Sequence, residues 1–156
     1  MSVRPGDIAP DFTLDGIDGR TGDTLRFSLS DASGAPLVVA FYPADNSPVC
    51  TKQLVDYTER FEELDRLGAQ VVAISPQSIE SHREFAAGQG GFAFPLLADE
   101  GKEVGRRYGI LGLLDLYRRS TFVVDAGGRI AYAHRFVGPG VGYKGVDELA
   151  RVVSGT

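Results

Sequence analysis

The sequence predicts an α/β fold with a central mixed sheet flanked by helices, and three observations carry that prediction. The run Leu37–Tyr42 is apolar without interruption, as a strand buried on both faces must be. Directly after it the period changes. Leu54, Tyr57, Phe61, Leu64 and Leu67 recur at steps of three and four, the stripe of an amphipathic helix. Further on, two β-rich runs flank Asp125-Ala126-Gly127-Gly128, a turn of hairpin type. A strand–helix–strand–helix series followed by a hairpin and a helix gives a sheet with a parallel half and an antiparallel half.

The elements follow in order. Thr24–Leu29 is a short strand candidate, followed by a turn at Ser33-Gly34. The buried strand Leu37–Tyr42 leads into a helix from about Pro48 to Leu67. Ser47 suits its N-cap, Pro48 its first turn and Gly68 its stop. Gln70–Ile74 is a second β-rich run, ended by Pro76. Helices are expected over about Ile79–Ala87, stopped by Gly88, and over Lys102–Tyr108, before Gly109. Thr121–Val124 and Ile130–Phe136 make the hairpin, and Asp147–Val153 closes as a helix.

The chain of 156 residues fits one domain spanning 1–156, with no repeats, low-complexity tracts or long linkers. Its net charge is −5, and acidic and basic residues interleave, as in Glu59-Arg60 and Glu62-Glu63-Leu64-Asp65-Arg66. Without a basic block, a nucleic-acid partner is not expected. No apolar run approaches the ~18 residues of a membrane span, and the N-terminus reads as no secretory signal. A single cysteine excludes an internal disulfide, which suits a reducing compartment; cytoplasm is the expectation.

That cysteine, Cys50, falls in the first turn of the long helix, where unpaired amides and the helix dipole favour a thiolate over a thiol. A lone cysteine is otherwise most often a small buried hydrophobe. The stretch Phe41-Tyr42-Pro43-Ala44-Asp45-Asn46-Ser47-Pro48-Val49-Cys50-Thr51-Lys52 resembles the Pro-x-x-x-Thr/Ser-x-x-Cys signature of the peroxiredoxins, in the form of the bacterioferritin-comigratory-protein or Q-type branch. Pro5–Leu14, Phe94–Asp99 and Arg119–Asp125 are similar to further segments of that family, in the same order.

The resemblance implies a thioredoxin-like fold and a thiol-dependent peroxidase acting on hydrogen peroxide and organic hydroperoxides. It makes Cys50 the peroxidatic cysteine, oxidised to a sulfenic acid, and it implies no metal, haem or flavin. Ser47 is expected to cap the helix and to hydrogen-bond the sulfur or the peroxide. Pro43 is expected to shape the pocket wall. Arg119, whose guanidinium suits a thiolate and peroxide oxygens together, is the second charged candidate. Arg118 is expected to point away into solvent, and Gln53 either to support the network or simply to pack. His82 and His134 receive no role. Gly140–Gly145 fits the dinucleotide pattern GxGxxG, but no second strand and acidic residue follow it, so it reads as a turn into the last helix.

Two features depart from the branch. A resolving cysteine would stand at Val55 or near Phe85-Ala86, and neither position carries a thiol. The resemblance thus implies a one-cysteine enzyme, monomer or weak homodimer, reduced by an external thiol: thioredoxin, glutaredoxin or a low-molecular-weight thiol. The rival reading is a non-catalytic thiol sensor or interaction module. The segment Ile110–Tyr117 is short and apolar where relatives carry a lysine-containing loop. It reads as core packing, with a partner surface, a dimer contact or a seat for an alkyl hydroperoxide as alternatives.

Overall fold

The computed structural model describes residues 3–136 and 143–156. Among them the strands are β1 (Thr13–Ile17), β2 (Thr24–Ser28), β3 (Leu37–Phe41), β4 (Gln70–Ser75), β5 (Leu96–Ala98), β6 (Ser120–Val124) and β7 (Ile130–Arg135). They form one sheet in the order β2-β1-β5-β4-β3-β6-β7. β3, β4 and β5 run parallel at its centre. β6 and β7 extend one side antiparallel, and β1 and β2 the other. The helices are α1 (Pro48–Glu59), α2 (Phe61–Asp65), α3 (Ile79–Gly88), α4 (Glu103–Arg107) and α5 (Val146–Ser154). None is long and apolar enough to cross a membrane.

β3 explains its own unbroken apolarity. Every residue in it is buried, and alternate side chains serve two separate cores. Val38, Ala40 and the following Tyr42 join Cys50, Leu54 and Tyr57 of α1, Phe85 of α3 and Leu149 of α5. Leu37, Val39 and Phe41 point the other way, onto Phe12, Tyr108, Ile110 and Phe122. The sheet therefore holds α1 and α3 side by side on the face from which the β3–α1 loop emerges.

Three expectations change. The long helix is two, because Arg60 leaves helical geometry (φ −109°, ψ 17°) and its guanidinium binds Glu63 and Asp147. Leu64 stays in the core on α2, but Leu67 falls beyond it and is 41% exposed. β1 was not expected, since Asp15 and Gly16 break a strand pattern. It forms because β1 pairs on both sides, and Gly16 is required there: a Cβ would sit 2.2 Å from the Leu96 carbonyl oxygen. β5, at three residues, is too short to show a period. Of Gly140–Gly145, residues 140–142 lie outside the described residues; Gly145 is the N-cap of α5.

Candidate active site

The parallel centre of the sheet aims its loops at one edge, where open α/β sheets place ligands. β3 ends at Phe41, and the chain turns through Tyr42–Asn46 to Ser47, which is extended (φ −73°, ψ 148°) and caps α1 ahead of Pro48. Cys50 therefore lies in the first helical turn, as expected, and is fully buried. Ser47 starts the helix with its carbonyl, which accepts from Thr51 N at 2.9 Å and Thr51 Oγ1 at 2.8 Å. The expected side-chain cap does not form. Ser47 Oγ is buried with no hydrogen-bond partner among the described residues.

Arg119 reaches the same turn from the antiparallel side. β6 pairs with β3 so that Ser120 faces Phe41, which leaves Arg119 beside the point where the loop departs. The side chain is almost wholly buried, at 6% exposure. Its Nη2 donates to Cys50 Sγ at 3.1 Å and its Nη1 to Gln53 Oε1 at 2.7 Å. Gln53 Nε2 continues the chain to the Tyr57 hydroxyl at 3.2 Å, and that hydroxyl donates to the Lys144 carbonyl. Burial pushes the Tyr57 phenol up to about 12, so it remains a donor. Gln53 is thus a fully buried member of the network and not surface packing. Arg119 Nε is left without a partner among the described residues.

The arrangement is a sulfur at a helix start, a fixed positive charge against it, and two unpaired buried polar atoms from the same two neighbours. That combination can present a nucleophile and hydrogen-bond a small oxygen-rich substrate.

The comparisons agree with the geometry. The profile of the AhpC/TSA family matches residues 5–133. The chain belongs to the AhpC/TSA family of peroxiredoxins. A putative peroxiredoxin of Mycobacterium tuberculosis is 40% identical over 138 residues, covering 84% of each chain. The chloroplastic peroxiredoxin Q of Oryza sativa subsp. japonica is 40% identical over 134 residues, which are 85% of this chain and 59% of the rice protein. The chain thus spans well under two thirds of the rice relative's length. Among solved structures, Mycobacterium tuberculosis AhpC superposes with a TM-score of 0.87 at 25% identity, over 98% of this chain and 92% of that one. Enterococcus faecalis AhpC gives 0.85 at 28% identity, over 99% and 92%. The thioredoxin-like fold follows from these neighbours and from the sheet order.

Other expected residues of this peroxiredoxin fall out unevenly. Pro43 is half-buried at the start of the loop. Arg118 is not free in solvent: it is half-buried, and its Nη2 donates to the Gly109 carbonyl at 3.3 Å. The segment 110–117 splits. Ile110 and Tyr117 are core, and the Tyr117 hydroxyl donates to Asp99 at 2.5 Å. Its tip is not core: Leu113 and Leu114 are 85% and 83% exposed, and Leu114 and Asp115 have left-handed backbones.

His134 lies on β7, its ring edge-to-face with Phe136. His82 is the residue that sequence reasoning missed. It is fully buried against Asp45, a residue lying between Pro43 and Ser47. The signal was present, because Ile79, His82, Phe85 and Ala86 share one helical stripe.

Proposed function

We propose that this peroxiredoxin is a thiol-dependent peroxidase in which Cys50 is the nucleophile. The thiolate attacks the terminal oxygen of a hydroperoxide. The O–O bond breaks, the sulfur becomes a sulfenic acid, and the departing alkoxide or hydroxide takes a proton to leave as alcohol or water. The observation that carries this reading is the Arg119 Nη2 hydrogen bond at 3.1 Å to the Sγ of Cys50, which is itself fully buried in the first turn of α1. A guanidinium stays charged at any working pH, so it supports the anionic sulfur and the charge that moves onto the leaving oxygen. Ser47 Oγ and Arg119 Nε, buried and unpartnered among the described residues, are the groups we assign to the two peroxide oxygens. Pro43 forms the wall of the pocket and offers no competing donor.

Val55 and Phe85 occupy the places where a resolving thiol would stand, so an external thiol reduces the sulfenic acid. The thiol sulfur displaces water to form a mixed disulfide, and a second thiol releases Cys50. A thiol-rich, reducing compartment such as the cytoplasm suits that cycle. Steady-state peroxide consumption with thioredoxin, glutaredoxin and small thiols tests the proposal and identifies the reductant. Cys50→Ser abolishes turnover while keeping the fold; more than trace activity in that variant refutes the assignment.

A further inference from the structure

We propose that Asp45 and His82 form a buried pair that shares one proton and positions the Pro43–Cys50 segment for peroxide attack; this rests on the reading of Cys50 as the nucleophile. The proton count follows from the hydrogen bonds. His82 Nε2 lies 2.9 Å from the Leu97 carbonyl oxygen, which can only accept, so Nε2 carries a hydrogen. Its Nδ1 lies 2.7 Å from Asp45 Oδ2. That oxygen already accepts from Ser81 Oγ at 2.7 Å, and Oδ1 accepts from the Tyr42 hydroxyl at 2.6 Å. A neutral imidazole facing an ionised carboxylate would set two lone pairs against each other at hydrogen-bond distance. One further proton therefore sits between Nδ1 and Oδ2, as an imidazolium–carboxylate pair or as imidazole and carboxylic acid. Either form is neutral overall, as side chains 0% and 1% exposed require.

The pair reaches the reaction through the loop. Asp45 is held at four points: by Tyr42 at the start of its own turn and, from outside it, by Ser81 and His82 of α3 and by Gln77, whose Oε1 accepts from the Asp45 backbone N–H at 3.2 Å. The next residue, Asn46, is left-handed (φ +64°), and Ser47 follows at once. A non-glycine residue keeps that conformation when its neighbours are fixed. With Asp45 released, Asn46 relaxes, and the Ser47 hydroxyl and the first turn of α1 shift against Arg119. Asp45 and His82 are positioning residues, since no hydrogen bond among the described residues joins either to Sγ.

The charges facing the pair are few. Tyr42 lies between it and Cys50, its phenol pushed well up first by burial and then by the Asp45 charge, so it stays a donor. From β5 only the Leu97 carbonyl arrives. On α3, Glu80 is exposed and paired with Arg83, and Glu84 is exposed.

Asparagine distinguishes a proton-sharing pair from simple packing. In Asp45→Asn the amide owns its hydrogens, so Nδ2 can donate to neutral His82 Nδ1 while Oδ1 still accepts from Tyr42. In Asp45→Ala every contact is lost. The experiment measures single-turnover oxidation of Cys50 by hydrogen peroxide, normalised to the thiolate present as read from its ultraviolet absorbance. Asp45→Ala is expected to lower the peroxide rate per thiolate by about 10- to 100-fold. Asp45→Asn recovers most of that loss. A folded Asp45→Ala with an unchanged rate per thiolate, or an Asp45→Asn as slow as Asp45→Ala, overturns the proposal. If wild-type Cys50 itself reacts with peroxide no faster than a free thiol, it is the peroxidase reading that fails, and the wild-type arm alone shows it.

Discussion

Replacing Arg119 by alanine removes the cation that hydrogen-bonds the sulfur, and the structure sets the size of the effect. Two hydrogen bonds disappear, Nη2 to Cys50 Sγ and Nη1 to Gln53 Oε1. A hydrogen bond to a charged group contributes about 1.5–3 kcal/mol. If the bond to sulfur is worth that much in the transition state, then at about 1.4 kcal/mol per decade the oxidation rate falls roughly 10- to 150-fold. The second bond adds a structural cost, because the Gln53 carbonyl oxygen is left buried and unpaired. Arg119→Lys separates the two contributions. Its ammonium restores charge but cannot serve Sγ and Oε1 together, so it recovers part of the rate and not the whole. The assay is single-turnover oxidation of reduced protein by hydrogen peroxide, followed under pseudo-first-order conditions, with circular dichroism confirming the fold. A folded Arg119→Ala that reacts within threefold of wild type would show that the contact to Sγ does not matter to the chemistry.

Two further outcomes follow from the same geometry. Peroxide without reductant should carry Cys50 to sulfenic and then sulfinic acid, with little covalent dimer, because the sulfur is fully buried; intact-mass analysis showing mainly a reducible dimer contradicts this. At alkaline pH the tyrosines limit stability: the Tyr57 phenol, raised by burial to about 12 against about 10 unfolded, contributes on the order of 3 kcal/mol that is full below pH 10 and lost as pH rises through about 12. The other five tyrosines shift in the same direction, so tyrosinate absorbance should appear together with loss of the far-ultraviolet signal, and free titration near pH 10 in a folded protein would refute it.

What the sequence made legible was set by length and period. β3 could be read because it is buried on both faces, and α1 because its stripe is sustained. β1 escaped because it is a strand by pairing, with Asp15 and Gly16 inside it, and β5 because three residues show no period. The break at Arg60 escaped because α2 restarts with Leu64 still on the buried side, so the apolar spacing runs through the kink. In the site, Cys50, Ser47 and Arg119 were legible from their motifs. The part played by Gln53 and the Asp45–His82 contact was not, since both depend on pairs 66 and 37 residues apart. Polar residues on an apolar stripe are the trace such pairs leave, and His82 on the stripe of α3 is one.

Under the peroxidase reading proposed above, the burial of the sulfur closes it to a resolving thiol. A disulfide needs a clear line between its two sulfurs and, where both belong to cysteines, Cα atoms within about 7 Å. At zero exposure Cys50 cannot meet that condition with α1 intact. In the proposed cycle, reduction by an external thiol therefore requires the first turn to open, and the bonds that hold it are local: Thr51 N and Oγ1 on the Ser47 carbonyl, and Arg119 on the sulfur. Oxidation itself loosens the last of these, because a sulfenic acid no longer offers the guanidinium an anionic sulfur. The proposed Asp45–His82 anchor then lies at the hinge, holding Pro43–Asp45 in place while the turn after Asn46 swings. Catalysis in a one-cysteine chain thus needs two opposite properties from adjacent residues: a loop fixed as far as Asp45, and a first turn that can leave it.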